Sequence, residues 1–165
     1  MFRILNDFFI TWKDERESTE KIFSALSNEA LKQKSGEHCR TLGRLTGHIV
    51  ESVKEMASHA GIGVEYHEEI LKFDNVKDIL KNYKNVCDEF ESKLKANWTD
   101  EMLTGTIDMY GQQWTRGKIL FILISHQIHH RAQMTVLMRL AGLKVPGICG
   151  PAKEEWAAMG MPAME

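Results

Sequence analysis

From Met1 to Lys144 and Val145 the chain contains no proline; its three prolines stand at positions 146, 151 and 162. Proline ends or kinks a helix because it lacks the backbone N–H and its ring clashes with the preceding turn. A proline-free run of this length permits long helices, and few segments show the period-2 alternation of strands. Apolar residues recur instead at three- and four-residue spacing. Ile4, Leu5, Phe8, Phe9, Trp12, Ile22, Phe23 and Leu26 predict a first helix from about Phe2 to Leu26. Lys32 to His38 is polar, contains Gly36 and reads as a loop. Leu42, Leu45, Ile49, Val53 and Met56 stripe a second helix from about Thr41 to His59, stopped by Gly61 and Gly63.

A third helix is expected to start at Asp74, a good N-cap residue, and to run to about Trp98. Val76, Ile79, Leu80, Tyr83, Val86, Cys87, Phe90 and Leu94 form its stripe. Thr99 to Gln113, with Gly105 and Gly111, reads as an extended or irregular crossover. A fourth helix runs from a Thr115 N-cap to Gly142 at the position just past its end. It is apolar on most faces, so it should be the most buried of the four and should favour association into a homodimer. Four amphipathic helices in one domain spanning 1–165 make an all-α four-helix bundle the economical fold.

Composition bounds the partners. A formal net charge of −2 and a pI near 6.4 give no electrostatic footprint for nucleic acid. Three cysteines, Cys39, Cys87 and Cys149, are an odd and widely spaced set without a CxxC pair, which suits a reducing compartment. The N-terminus lacks signal-peptide order, and Ile119 to Ile124 is too short for a membrane span. A cytoplasmic protein is expected.

The chemistry concentrates in the fourth helix. His126, His129 and His130 lie within the apolar stretch from Ile119 to Leu140, where imidazole nitrogens are costly to bury without partners. His126 and His130 are four apart and share a helix face. Two neutral imidazoles so placed can bind a cation such as zinc or nickel, with iron and copper also compatible. His48 lies on the second helix's stripe and is the candidate third ligand. His38, His59 and His67 fall in polar surroundings and read as solvated. Three ligands with open positions would be a catalytic style of site, since structural zinc sites are closed by four.

Plainer readings stand beside this one. Histidines on a helix stripe are often satisfied core residues, and no HExxH glutamate accompanies the pair. His129 is rotated off the ligand face and reads as a packing or hydrogen-bonding residue. Trp114 and Trp156 can wall a pocket or simply pack at helix ends. Arg131 can meet an anionic substrate, bridge helices or make a dimer contact. Cys87 reads as an inert buried thiol. The runs Lys13–Glu17 and Lys93–Lys95 read as solvated faces.

His126-x3-His130, followed by Arg131-Ala132-Gln133, Arg139 to Leu143 and Val145-Pro146, resembles the C-terminal motif of the DinB family. Leu45-Thr46-Gly47-His48-Ile49 is similar to that family's helix-two segment, and Gly150 to Trp156 to its tail. Ala132 departs from the pattern where glycine is common. The resemblance implies an up-down-down-up bundle with a long crossover between helices two and three. It implies a divalent metal held by His48, His126 and His130, and frequent homodimers. It also implies kinship with enzymes that use small thiols: bacillithiol S-transferases and mycothiol-dependent maleylpyruvate isomerase.

The favoured expectation is therefore a metal-dependent transferase that adds a low-molecular-weight thiol to electrophiles. The alternatives are a metal-dependent hydrolase and a non-enzymatic, stress-induced metal- or ligand-binding protein, the latter with a closed site using Cys149 or an acidic residue as fourth ligand. No residue stands out as a general base; Gln113, Tyr110 and Gln133 are candidates to support the ligands.

Overall fold

The computed structural model describes residues 1–67, 71 and 73–162. Four long helices dominate it: α1 (Leu5–Ser24), α2 (Leu42–His59), α3 (Val76–Asn97) and α4 (Arg116–Leu140). Short 3-10 turns lie at Glu29–Lys32, Asp100–Thr104 and Trp156–Met159, and a hairpin of β1 (Thr106–Met109) and β2 (Gln112–Thr115) precedes α4.

Local chemistry sets the helix ends. Thr41 Oγ1 accepts from Arg44 N at 3.1 Å, and Thr115 Oγ1 accepts from Lys118 N at 3.2 Å, so both expected threonine caps form. α3 is capped by Asn75, not Asp74: its Oδ1 accepts from Asp78 N at 2.9 Å. The two neighbours are equally cap-competent by type, and only the backbone path separates them. α1 starts three residues later than expected, at Leu5, whose N–H donates to Asp100 Oδ1 at 2.7 Å across the fold. Gly142 takes φ +74° after α4, and Leu143 N reaches back to Met138 O at 2.9 Å. This closing motif needs a left-handed residue, which glycine supplies without strain.

The segment expected to be an extended or irregular crossover holds the Asp100–Thr104 turn and then two extended strands paired as the hairpin, with Ile107 opposite Trp114 and Asp108 opposite Gln113. Its two turn residues, Tyr110 and Gly111, both have positive φ (57° and 77°), as a tight primed turn requires.

Side-chain contacts give the sense of each helix pair. Phe9 lies under Lys95, Trp12 and Arg16 bond Glu91, and Glu20 pairs with Lys84, so α1 and α3 are antiparallel. Phe2 N bonds Gly117 O while Glu15 meets Arg131, so α1 and α4 run parallel. Asn28 bonds the start of α3 and Asn97, at its end, bonds Ile62, so α2 and α3 run parallel. The long α2–α3 connection lies partly outside the described residues.

The core is aromatic at one end, where Phe8, Trp12 and Phe90 meet with centroids 5.2–6.0 Å apart. α2, rather than α4, is the most buried helix by fraction: eleven of its eighteen residues are buried, against eleven of twenty-five in α4. The difference lies on α4's outer face, where Phe121, Ile128, Val136 and Leu140 are exposed.

Candidate metal centre

α2 and α4 pack as antiparallel neighbours, and their contact surface brings His48 against His126 and His130. Gln127 fixes this contact from within the core. Its Nε2 donates to Ile49 O (3.1 Å) and Ser52 Oγ (3.2 Å) on α2, and its Oε1 accepts from Tyr83 on α3 at 3.4 Å. With Gln127 locked inward, the adjacent His126 and the residue one turn on, His130, are turned toward α2. Gly47 lets the chain pass close by: a Cβ there would stand 2.7 Å from Leu71 O.

The three rings sit with centroids 4.9 Å (His48–His126), 4.6 Å (His48–His130) and 4.5 Å (His126–His130) apart. One nitrogen from each lies within 4.8 Å of the other two. His126 Nε2 and His130 Nε2 are 3.2 Å apart. Two ligands at 2.0–2.1 Å in a tetrahedral shell stand roughly 3.3–3.4 Å apart, so this spacing suits a zinc-sized cation.

The electrostatics favour neutral ligands. Burial, with the neighbouring His130 and the positive charges of Arg40 and Arg44, pushes His48 down to about 4 from its ordinary 6.5. Burial and the adjacent rings push His126 down to about 4 as well. His130 is lowered by burial, offset in part by its bond to Gln133. Gln133 Oε1 lies 2.8 Å from His130 Nδ1. An amide oxygen only accepts, so that bond assigns the His130 proton to Nδ1 and leaves Nε2 a lone pair. His48 Nδ1 lies 3.9 Å from Glu51 Oε2, a buried carboxylate also held by Arg44 at 2.7 Å and by Leu71 N at 2.6 Å. The Gln133 bond is of the kind that orients a metal-binding imidazole, whereas Glu51, at 3.9 Å, lies beyond hydrogen-bond reach of His48.

His126 Nδ1, the ring nitrogen turned away from His130, is buried without any hydrogen-bond partner among the described residues. The donor set, its spacing and its neutrality fit a divalent cation. No cysteine or carboxylate among the described residues joins the three as a fourth ligand.

Of the triad, His130 borders a cavity of about 540 Å³, lined also by Gln133, Cys39, Arg40, Leu45 and Leu137 among others. That volume lies within the range of small-molecule sites.

Other sequence candidates fall elsewhere. His38, His59 and His67 are exposed, and His59 packs on Tyr110 at 5.3 Å. Tyr110 and Gln113 belong to the hairpin, away from the triad; the Tyr110 hydroxyl bonds Glu55 at 3.4 Å. Gln133 alone of the three supporting candidates touches the site. His129 is exposed, bonded to Gln133 Nε2 at 3.2 Å. Trp114 packs with Tyr110 and Lys118, and Trp156 lies outside the cavity lining. Arg131 is a bridge between helices, paired with Glu15 in the core. Cys87 is buried and its thiol is pushed up to about 12; Cys149 is exposed and apart from the triad.

Sequence reasoning missed Glu51, Cys39 and Arg40. Glu51 could have been found from its i, i+3 spacing to His48. The other two sit in a loop whose path the sequence does not encode, although both immediately precede the Thr41 cap.

A helical bundle whose facing helices bring three histidines together beside a cavity has a donor set that could hold a metal ion. The chain belongs to the DinB family, whose sequence profile matches residues 1–164. It is 41% identical over 164 residues to the uncharacterized protein YrdA of Bacillus subtilis (strain 168), covering 99% of this chain and 98% of that one. The crystal structure of a DinB-like protein from Bacillus cereus ATCC 10987 superposes with a TM-score of 0.83 at 37% identity, over 90% of this chain and 99% of the other. A second DinB-like protein, YjoA of Bacillus subtilis, shares the fold at a TM-score of 0.64 and 22% identity, over 80% of this chain and 90% of its own.

Proposed function

We propose that this protein is a divalent-metal-dependent transferase that joins a low-molecular-weight thiol, bacillithiol-like in type, to an electrophilic carbon. The observation that carries the reading is the triad itself: three neutral imidazoles converge, one of them, His130, in the wall of a cavity, with no fourth protein ligand among the described residues. His48, His126 and His130 would hold the ion, with zinc or nickel favoured by an all-imidazole set. Such an ion, when bound, holds a coordinating thiol in its thiolate form at neutral pH.

The chain's own residues do the rest. Burial keeps the imidazoles neutral, and Gln133 fixes the His130 tautomer. Leu45 and Leu137 give the cavity an apolar wall that sheds water. The reaction is a displacement: a sulfur–carbon bond forms as a carbon–halogen bond breaks and halide departs with the electron pair, or as an epoxide carbon–oxygen bond opens, its oxygen staying on the product with the pair and taking a proton from solvent. The thiol proton passes to solvent, since Gln133 cannot take it and Glu51 is engaged by Arg44 and Leu71.

The test is incubation of zinc- and nickel-loaded protein with a panel of thiols and electrophiles, following thioether formation by mass spectrometry. Cys39 faces the same cavity, so the Cys39→Ser variant is run in parallel to exclude its own alkylation. Thioether formed by wild type and Cys39→Ser but not by His130→Ala supports the reading. Hydrolysed electrophile without thioether favours hydrolysis. No turnover with any pair, at full metal loading, favours a binding protein.

A further inference from the structure

The cavity beside the triad has an uneven wall. Leu45 of α2 and Val136 and Leu137 of α4 make one part of it aliphatic. Arg40 is the one charged side chain in the lining, and no carboxylate joins it there among the described residues. Arg40 forms no ion pair or hydrogen bond with any described residue. Its neighbour Arg44 differs in this respect, being neutralised by Glu51 at 2.7 Å. Arg40 and His130 line the same cavity, so the guanidinium borders the space next to the triad.

An unpartnered guanidinium beside an apolar cavity is a recognition element for a planar anion, which it can bond through two parallel N–H groups. One cation and an aliphatic wall match a singly charged carboxylate on a short carbon skeleton better than a phosphate dianion. We propose that the cavity selects a small organic carboxylate, its charge paired with Arg40, its carbon chain along Leu45, Val136 and Leu137, and its far end toward His130. The proposal names the substrate class of the transferase reading and rests on the same cavity. It makes Arg40 a specificity determinant.

The test uses probes without a thiol, so that anion recognition is read apart from thiol transfer. Hexanoate and its neutral isostere hexanamide are titrated into the 15N-labelled full-length protein, zinc-loaded and after chelator treatment, and binding is followed by amide shifts. A charge-assisted hydrogen bond is worth enough to make hexanoate about tenfold tighter than hexanamide. That preference should appear in both forms, centre on residues 35–45 and 130–137, and shrink as salt is raised. Arg40→Gln should remove it, Arg40→Lys should keep part of it, and Arg139→Gln, at an exposed pair with Glu154, should leave it intact. Equal binding of the two probes, no binding of either, or a preference that survives Arg40→Gln would each overturn the assignment. A preference confined to the zinc-loaded form would overturn it too, since the metal alone would then be the anion's partner. Loss of thiol transfer with an intact hexanoate preference would count against the transferase reading and leave the carboxylate site standing.

Discussion

Removing the Arg131 guanidinium should cost more stability than removing any single charge on the surface. Arg131 is 4% exposed and its partner Glu15 is 8% exposed, so the pair lies in the core between α1 and α4. Arg131 Nη1 also donates to Thr19 Oγ1 at 3.0 Å and Glu15 O at 3.4 Å. In Arg131→Met the side-chain volume is roughly kept, but the Glu15 carboxylate stays buried without a counter-charge. Breaking one side of a buried pair costs about 3–5 kcal/mol, whereas replacing both partners with apolar residues is often neutral or stabilising. Exposed pairs such as Lys13–Glu17 are worth about 0–1 kcal/mol. At this chain length each kcal/mol moves Tm by about 2–4 °C, so Arg131→Met should melt roughly 6–20 °C lower.

The assay is urea unfolding followed by circular dichroism, on Arg131→Met, Glu15→Leu and the double variant. The single Arg131→Met should lose about 3–5 kcal/mol, and Glu15→Leu/Arg131→Met should return to within about 1 kcal/mol of wild type or exceed it. A single-variant loss below about 1 kcal/mol, or a double variant as unstable as Arg131→Met, would refute the reasoning that an uncompensated buried carboxylate sets the cost. The result bears on the site as well. Arg131 follows His130 directly, and its bridge to α1 helps fix the rotation of α4. If that orientation depends on the pair, the restored double variant should still bind zinc less tightly than wild type.

The sequence disclosed the helices because their signals are repeated many times. Each stripe of α2 or α3 is written in five to eight apolar residues at helical spacing, so one ambiguous position changes little. Thr115 and Gly142 were legible because a hydroxyl N-cap and a left-handed glycine are local requirements. The hairpin was not legible: four-residue strands give almost no period-2 signal, and Tyr110-Gly111 is a weaker turn signal than Asn-Gly. Asp74 and Asn75 show the limit of cap reading, since residue type alone does not choose between neighbours. The i, i+4 spacing placed His126 and His130 together, because helix geometry alone decides it. Their meeting with His48 depends on how α2 docks on α4, and that is tertiary information set by Gln127 and its partners. Arg131 had three readings open for the same reason, and its pairing with Glu15, 116 positions away, makes it a bridge between helices.

Purified protein should bind about one divalent metal per chain, a stoichiometry open at a three-ligand site, measured by elemental analysis. His48→Ala, His126→Ala and His130→Ala should each abolish binding while His59→Ala and His67→Ala retain it; Gln133→Leu should weaken it about 10–100-fold by freeing the His130 ring. The outward residues Phe121, Ile128 and Leu140, each more than 40% exposed, should be covered by a second copy in a symmetric homodimer, so sedimentation should show a dimer and Ile128→Glu a monomer. The pH dependence follows from the two rings held near 4. In the folded chain His48 and His126 stay neutral down to about pH 4, while in the unfolded chain they protonate near 6.5. Between those values the unfolded state binds more protons, so the stability these rings contribute is whole above about 6.5 and is lost as pH falls toward 4. Both rings are partly exposed, which discounts the effect to about 1–2 kcal/mol per ring. Metal-stripped protein should therefore lose Tm across this window, and His126→Ala should flatten the loss. Zinc-loaded protein should lose more, because metal bound to the native state adds stability and protons displace it from each ligand. A metal affinity flat from pH 7.5 to 5, or equal losses with and without zinc, would remove the histidines as ligands, since a site of neutral imidazoles cannot be indifferent to protons.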